Sequence, residues 1–228
     1  MSDEKLTLEK WGVTLEDLSA AVDENPSLRG MVLGYVAEYK LRRLWFSDQD
    51  KITHHIKPDD HNRKKKGDLL VTYRGRQFTV ESKSLQTASV RYADGRYSGT
   101  AQVDGSDKRE VTFKDGTKLT TTCLLAGEFD LLAVNLFAFD GQWRYVFAKN
   151  RDLPLSRHRN YSSEQRAELL ATSIPVSWPP APPFRAEPFS LLDELLADPA
   201  ASAPPEVESV VPAKPKATRK GGGASAGS

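Results

Sequence analysis

Asp68, Glu81 and Lys83 bracket the stretch from 67 to 83, GDLLVTYRGRQFTVESK, and are the residues best suited to chemistry in this chain. Two apolar runs, LLVTY and FTV, flank Arg74-Gly75, a pair suited to a tight turn because glycine tolerates positive φ. A two-residue turn there pairs Tyr73 with Arg76, and counting outward along the antiparallel ladder sets Asp68 opposite Glu81. Residues two apart on a strand share a face, so Glu81 and Lys83 project together, towards Asp68, while Ser82 points away. Facing carboxylates repel unless a cation lies between them, and divalent metals favour oxygen ligands of this kind. A lysine beside that cation is suited to holding a water or a negatively charged oxygen. The trio therefore suits hydrolysis of a phosphodiester, with the metal as Lewis acid and water activator and the lysine orienting the nucleophile. As residue types alone, the same charges also describe a surface hairpin facing water.

The element that must position this hairpin lies upstream. From Ser27 to about Leu44 the chain reads SLRGMVLGYVAEYKLRRL, apolar at helical spacing, and Asn25-Pro26-Ser27 supplies a start signal. Glu38 has Gly34, Tyr35, Leu41 and Arg42 as its neighbours three and four residues away, which places a carboxylate on a largely apolar face. Buried charge is costly unless paired or coordinated, so Glu38 is either a salt-bridged surface residue or part of a site.

A glycine-aspartate opening a strand, a turn, and a second apolar strand ending in Glu-x-Lys resembles the PD-(D/E)xK nuclease superfamily of restriction endonucleases, junction resolvases and repair exonucleases. Many members carry a glutamate on the helix preceding the hairpin, and Glu38 resembles that residue. The resemblance implies a restriction-endonuclease-like α/β fold, a central mixed β-sheet flanked by helices. It implies Asp68 and Glu81 as ligands of Mg²⁺, with Mn²⁺ able to substitute, Glu38 assisting at the metal directly or through water, and Lys83 as the catalytic lysine. Pro58-Asp59 is a literal Pro-Asp, but it lies in a polar loop, whereas Asp68 opens the strand that pairs with Glu81. His54, His55, Asp60, His61 and Asn62 raise a histidine-based metal nuclease as a further possibility, for which the flanking hairpin and helix are not evident.

Several other stretches bear on nucleic acid. Residues 47 to 68 read as a polar loop, and its basic run Arg63, Lys64, Lys65 and Lys66 precedes the hairpin, placed either to meet a phosphate backbone or simply to be solvated. Beyond Lys83, the residues Ser84, Gln86, Arg91, Tyr92, Arg96 and Tyr97 mix hydrogen-bonding, cationic and aromatic groups suited to backbone or base-edge contact, with turn signals at Asp94-Gly95 and Asp104-Gly105.

The remaining pattern fills in a domain over residues 10 to 185. Residues 14 to 23 form a short helix capped by Thr14 and expected to cover the core. A hairpin turns at Asp115-Gly116, FDLLAVNLFAF (129–139) is a nearly continuous apolar strand buried on both faces, and GQWRYVFA adds a neighbour. Asp130 opens the apolar strand and reads either as a strand-edge aspartate, the preferred reading, or as a support behind the site. Residues 162 to 172 suit a closing helix capped by Ser162 or Ser163, followed by a proline-rich extended wrap. Residues 186 to 198 form a short amphipathic segment, docked on the body or binding a partner. Residues 199 to 228, rich in Pro, Ala, Ser and Gly with Lys214, Lys216, Arg219 and Lys220, read as a disordered basic tail able to bind nucleic acid non-specifically.

With 228 residues and a net charge of +1, the chain is large enough for one sizeable core, and no apolar run is long enough to cross a membrane. The single cysteine, Cys123, rules out an internal disulfide and a cysteine-clustered zinc site. The charged N-terminus lacks an apolar signal core, which predicts a cytoplasmic protein. The expected function is a metal-dependent DNA endonuclease, restriction-enzyme-like or of the phage and mobile-element kind, with repair nucleases also open. Alternatives are a catalytically inactive nucleic-acid-binding module on the same fold, and an adaptor working through residues 189 to 197. Cutting both strands usually requires two active sites, so a homodimer is expected if the product is a double-strand break.

Overall fold

The computed structural model describes residues 6–47, 52–57 and 67–198. Three helices come first: α1 (Thr7–Trp11), α2 (Leu15–Glu24) and α3 (Pro26–Leu41), the last running into a π-helical turn over Arg42–Phe46. Ten strands and three short helices follow: β1 (Ile52–Ile56), β2 (Leu69–Tyr73), β3 (Arg76–Ser84), β4 (Arg91–Ala93), β5 (Arg96–Gln102), β6 (Asp104–Thr112), β7 (Lys118–Cys123), β8 (Leu131–Asn135), α4 (Phe137–Asp140), β9 (Tyr145–Lys149), α5 (Ser163–Glu168), β10 (Ser173–Trp178) and α6 (Phe189–Ala197).

The fold is mixed α/β with a central mixed sheet flanked by helices, as the sequence predicts. That sheet runs β1-β2-β3-β8-β9, antiparallel throughout except for the parallel β3–β8 pair. A second sheet, β10-β5-β4, and the β6–β7 ribbon complete the strands. Alternation along the two central strands builds two cores at once. Leu131 and Ala133 of β8, with Tyr145 and Phe147 of β9, join Leu41, Phe46, Leu191, Leu192 and Leu195 on the helical side. Leu132, Val134, Val146 and Ala148 face the other way and pack with Ala101, Val103, Ile174 and Val176 of the second-sheet layer.

Local rules account for most boundaries. Arg74 and Gly75 both take positive φ, 47° and 82°, so the β2–β3 turn is the tight two-residue kind that matches strand twist. Asp94-Gly95 does the same between β4 and β5. At α2, Thr14 Oγ1 accepts from Asp17 N at 3.1 Å and the Asp17 carboxylate accepts from Thr14 N at 2.9 Å, a reciprocal cap. Ser162 and Gln165 cap α5 in the same way.

The structure departs from the sequence reading in six places, one being that the closing helix expected over residues 162 to 172 stops at Glu168, after which Leu169 and Leu170 bridge to Leu125 and Leu155. β1 lies within the stretch read as polar loop, because backbone pairing to β2 needs no apolar pattern at a sheet edge. α2 buries no residue and does not cover the core. The apolar run 129–139 stops being strand at Asn135, whose Oδ1 accepts from Phe137 N at 2.9 Å and starts α4. Asp104-Gly105 opens β6 rather than making a turn. The proline-rich wrap begins as strand β10, paired residue by residue with β5. The segment read as docked or partner-binding is docked: α6 buries Leu191, Leu192 and Leu195. The tail from 199 lies outside the described residues. Among those described, no helix is long and apolar enough to cross a membrane.

Leu192 is fully buried and Leu15 is 69% exposed. Leu192→Ala is therefore expected to lower unfolding free energy in urea by roughly 2–5 kcal/mol, whereas Leu15→Ala should stay within about 0.5 kcal/mol of the parent.

Candidate active site

The hairpin register is the expected one: Tyr73 pairs with Arg76 and Leu69 with Val80, so the next step outward opposes Asp68 and Glu81. Gly67 makes that approach possible. Its φ is +76°, and a Cβ there would meet Val80 O at 3.1 Å and the Thr79 Cβ at 3.3 Å. Asp68 N then donates to Val80 O at 2.9 Å, and Asp68 Oδ2 accepts from Ser82 N at 2.8 Å, which fixes the carboxylate at the end of the ladder. From the far side, Asp130 Oδ2 accepts from Thr79 N at 2.7 Å and from Thr79 Oγ1 at 2.9 Å. Asp130 thus pins β3 and is structural, in keeping with the strand-edge reading.

Lys83 Nζ lies 2.8 Å from Glu81 Oε1, and both side chains are mostly buried, 19% and 13% exposed. Burial, then the neighbouring Asp68 charge, pushes Glu81 up to about 7. Burial likewise raises Asp68, opposed by the Lys83 charge and the Ser82 hydrogen bond and reinforced by Glu38. Burial alone would lower Lys83, but Glu81, Asp68 and Asp104 more than offset it and hold the ammonium above its ordinary value.

Glu38 reaches the same site from the helical layer. It lines a narrow cleft with Leu41, Arg42, Lys57, Asp68, Leu69 and Ser82. Glu38 Oε2 is 2.9 Å from Lys57 Nζ, yet this buried oxygen has no hydrogen-bond partner of acceptable geometry. Phe78 and Val80 face the helical core, so Glu81 and Lys83, at alternate positions, project from the opposite face of the sheet. Asp68, at the strand's beginning, interacts electrostatically with both Glu38 and Glu81.

The donor set fits a hard divalent cation. It offers two poorly solvated carboxylates whose repulsion such an ion would relieve, with the Glu38 carboxylate, ion-paired to Lys57, lining the same cleft as Asp68. Among the described residues, however, no group of three His, Cys, Asp or Glu side chains is already gathered as a ligand cage.

Lys83, Ser84 and Gln86 line an open groove of about 520 Å³, together with Leu85, Gln102, Asp104, Gly105 and Thr122. Gln86 Nε2 donates to Gln102 Oε1 at 3.2 Å, and Gln102 Nε2 donates to Asp104 Oδ2 at 3.3 Å. Asp104 and Lys57 were not singled out as site residues from sequence. The period-two run Ala101, Gln102, Val103, Asp104, with Ala101 and Val103 fully buried, is the signal that would have exposed Gln102 and Asp104 on one face. Arg91 stands apart, its guanidinium donating to Ala88 O and Val90 O. Arg96 donates to Ser177 Oγ and Pro179 O, and Tyr97 stacks on Phe139 at 5.3 Å, so both serve the second sheet. Arg63, Lys64, Lys65 and Lys66, with Pro58-Asp59 and most of the histidine cluster, lie outside the described residues.

No protein-family model matches the chain, and no curated protein matches it significantly. Among solved structures, a bacterial homing endonuclease overlaps it with 15% identity and a TM-score of 0.29, over 60% of this chain and 85% of that one. An overlap this slight establishes neither a shared fold nor a shared activity.

The raised carboxylate values set the sign of a stability effect. A carboxyl whose folded pKa exceeds its ordinary value favours folding below that ordinary value, and the contribution is lost as pH rises through the folded value. For Glu81 the window runs from 4.5 to about 7. Asp68→Asn, which keeps an acceptor for Ser82 N, is expected to melt a few degrees above the parent at pH 8 in chelator. The gap should close at pH 5, and thermal melts at the two pH values check it.

Proposed function

We propose that this protein is a metal-dependent nuclease hydrolysing phosphodiester bonds in DNA, built on the PD-(D/E)xK plan. The observation that carries the reading is the crowding of Asp68, Glu81 and Lys83 at the poorly solvated end of β3, with Glu38 approaching Asp68 from α3. A purely structural role leaves this arrangement costly, since like-charged carboxylates destabilise the site that holds them.

Asp68 and Glu81 would hold one or two Mg²⁺ ions, or Mn²⁺ in their place, with Glu38 assisting directly or through water. Bound there, the metal supplies Lewis-acid polarisation of the scissile phosphate and activation of the attacking water. Lys83 contributes the chain's own electrostatics: its ammonium, kept protonated by Glu81 and Asp104, orients the water and offsets charge growing on the phosphate oxygens. Ser84 and Gln86, on the groove wall next to Lys83, contact the strand being cut. The basic run Arg63 to Lys66 and the basic tail add phosphate affinity that falls with salt.

One observation favours a second reading. Lys57 already pairs with Glu38, and no three-ligand cage is gathered among the described residues. A nucleic-acid-binding module that keeps the acidic cluster for structure fits that arrangement.

Digestion of a long, sequence-diverse duplex with Mg²⁺, comparing the parent with Lys83→Ala, separates the two. Cleavage by the parent, reduced at least about 100-fold in Lys83→Ala, supports the nuclease. Discrete fragments would mark a sequence-specific enzyme and a smear a non-specific one. Calorimetric titration with Mn²⁺ gives an independent readout: uptake by the parent and none by Asp68→Asn is expected. Intact DNA in both lanes with no Mn²⁺ uptake would leave the binding module.

A further inference from the structure

Lys57 follows β1, the edge strand of the central sheet, and its ammonium reaches across to α3. One turn of that helix seats it. Glu38 Oε2 lies 2.9 Å from Lys57 Nζ, and the ring of Tyr35, three residues earlier, has its centroid 4.4 Å from the same nitrogen. The Lys57 and Glu38 side chains are only 28% and 22% exposed, so water screens this pair less than one on the open surface. Asp68 lines the same cleft and also feels the Lys57 charge. One ammonium therefore serves two of the carboxylates assigned to the metal.

The charged side chains of this cleft balance one another, Glu38 and Asp68 against Lys57 and Arg42. Arg42 is anchored to the π-helical turn, with its guanidinium over the Tyr39 ring at 5.7 Å. Lys83 pairs with Glu81 and is held by Asp68 and Asp104 as well. Lys57 sits on the Glu38 carboxylate at the end of a flexible stem, which makes it the cation easiest to exchange. A divalent ion held by Asp68 and Glu38 would stand beside that ammonium in a poorly solvated cleft, where like charges repel strongly. Exchanging Lys57 for the ion leaves one positive charge in excess, the charge that a single phosphodiester neutralises.

We propose that Lys57 is a built-in competitor at the candidate metal site: its ammonium and a divalent cation take the Glu38 side of the cleft in turn, and Lys57 thereby sets how tightly the site holds metal. The inference rests on the metal-dependent reading of Asp68 and Glu38. It adds to that reading a residue that opposes loading, placed outside the hairpin that carries Asp68, Glu81 and Lys83. With Lys57 in its seat, Glu38 is already neutralised; with Lys57 displaced, the metal-bearing cleft is left positive and suited to a phosphate.

The test is calorimetric titration of the full chain with Mn²⁺, run on the parent and on variants in parallel. Lys57→Gln is expected to bind Mn²⁺ at least about tenfold more tightly than the parent, because a like charge has been removed from the ion's side. Lys57→Met, which keeps an apolar stem over Tyr35, should show the same gain. Lys114→Gln removes an exposed charge that lines neither the cleft nor the groove, and should stay within about twofold of the parent. A second readout follows the ammonium itself: acetylation of Lys57 in the parent, measured by mass spectrometry, should speed up at least about threefold when saturating Mg²⁺ replaces chelator, with Lys114 unchanged. Equal Mn²⁺ affinity in the parent and both Lys57 variants overturns the inference and leaves the metal site standing. A gain matched by Lys114→Gln overturns it too, since net charge is then the cause, as does a Lys57 labelling rate that saturating Mg²⁺ does not move. No Mn²⁺ uptake by the parent or by either Lys57 variant removes the metal-dependent reading itself, and this inference with it.

Discussion

Like charge held where water is scarce governs the end of β3. Asp68 and Glu81 face each other across the last rung of the hairpin, and burial raises the cost of ionising either. Lys83 offsets part of that cost from 2.8 Å away, and its own ammonium survives burial only because the carboxylates surround it. The three groups are mutually dependent, and each is intelligible only with the others in place. Much of the surrounding structure serves to hold this unfavourable arrangement. The parallel β8 and antiparallel β2 clasp β3 on both edges, Asp130 pins it at Thr79, and Gly67 gives the clearance that Asp68 needs.

Period-two alternation then decides what each layer contributes. The helical side of the sheet carries a core in which α3, the π-helical turn and α6 pack, and it delivers Glu38. The opposite side carries the core shared with the second sheet, and it delivers Glu81, Lys83 and the groove with Gln102 and Asp104. Asp68 sits where the two meet. Through Asp68 the two sides are electrostatically joined, since its carboxylate feels both Glu38 and Lys83.

Legibility followed the range of the interactions. The hairpin, its register and the Asp68–Glu81–Lys83 juxtaposition were readable because a two-residue turn at Arg74-Gly75 fixes every pairing that follows from it. The cap at Thr14, a cap at Ser162 or Ser163, the doubly buried β8 as far as Asn135 and the presence of β9 were readable for the same reason: each depends on residues within a few positions. β1 was not, since an edge strand bonds through its backbone and leaves its side chains free of pattern.

The sequence by itself determined which side chains carry charge, which strand they ride on and which face of that strand they share, because strand geometry alternates whatever the rest of the chain does. Only the tertiary structure decided that Glu38 arrives from the opposite layer beside Lys57, that Asp104 stands near Lys83, and that α2 is left outside the core. Those outcomes depend on how layers dock, through contacts between residues far apart in the chain that no local spacing encodes.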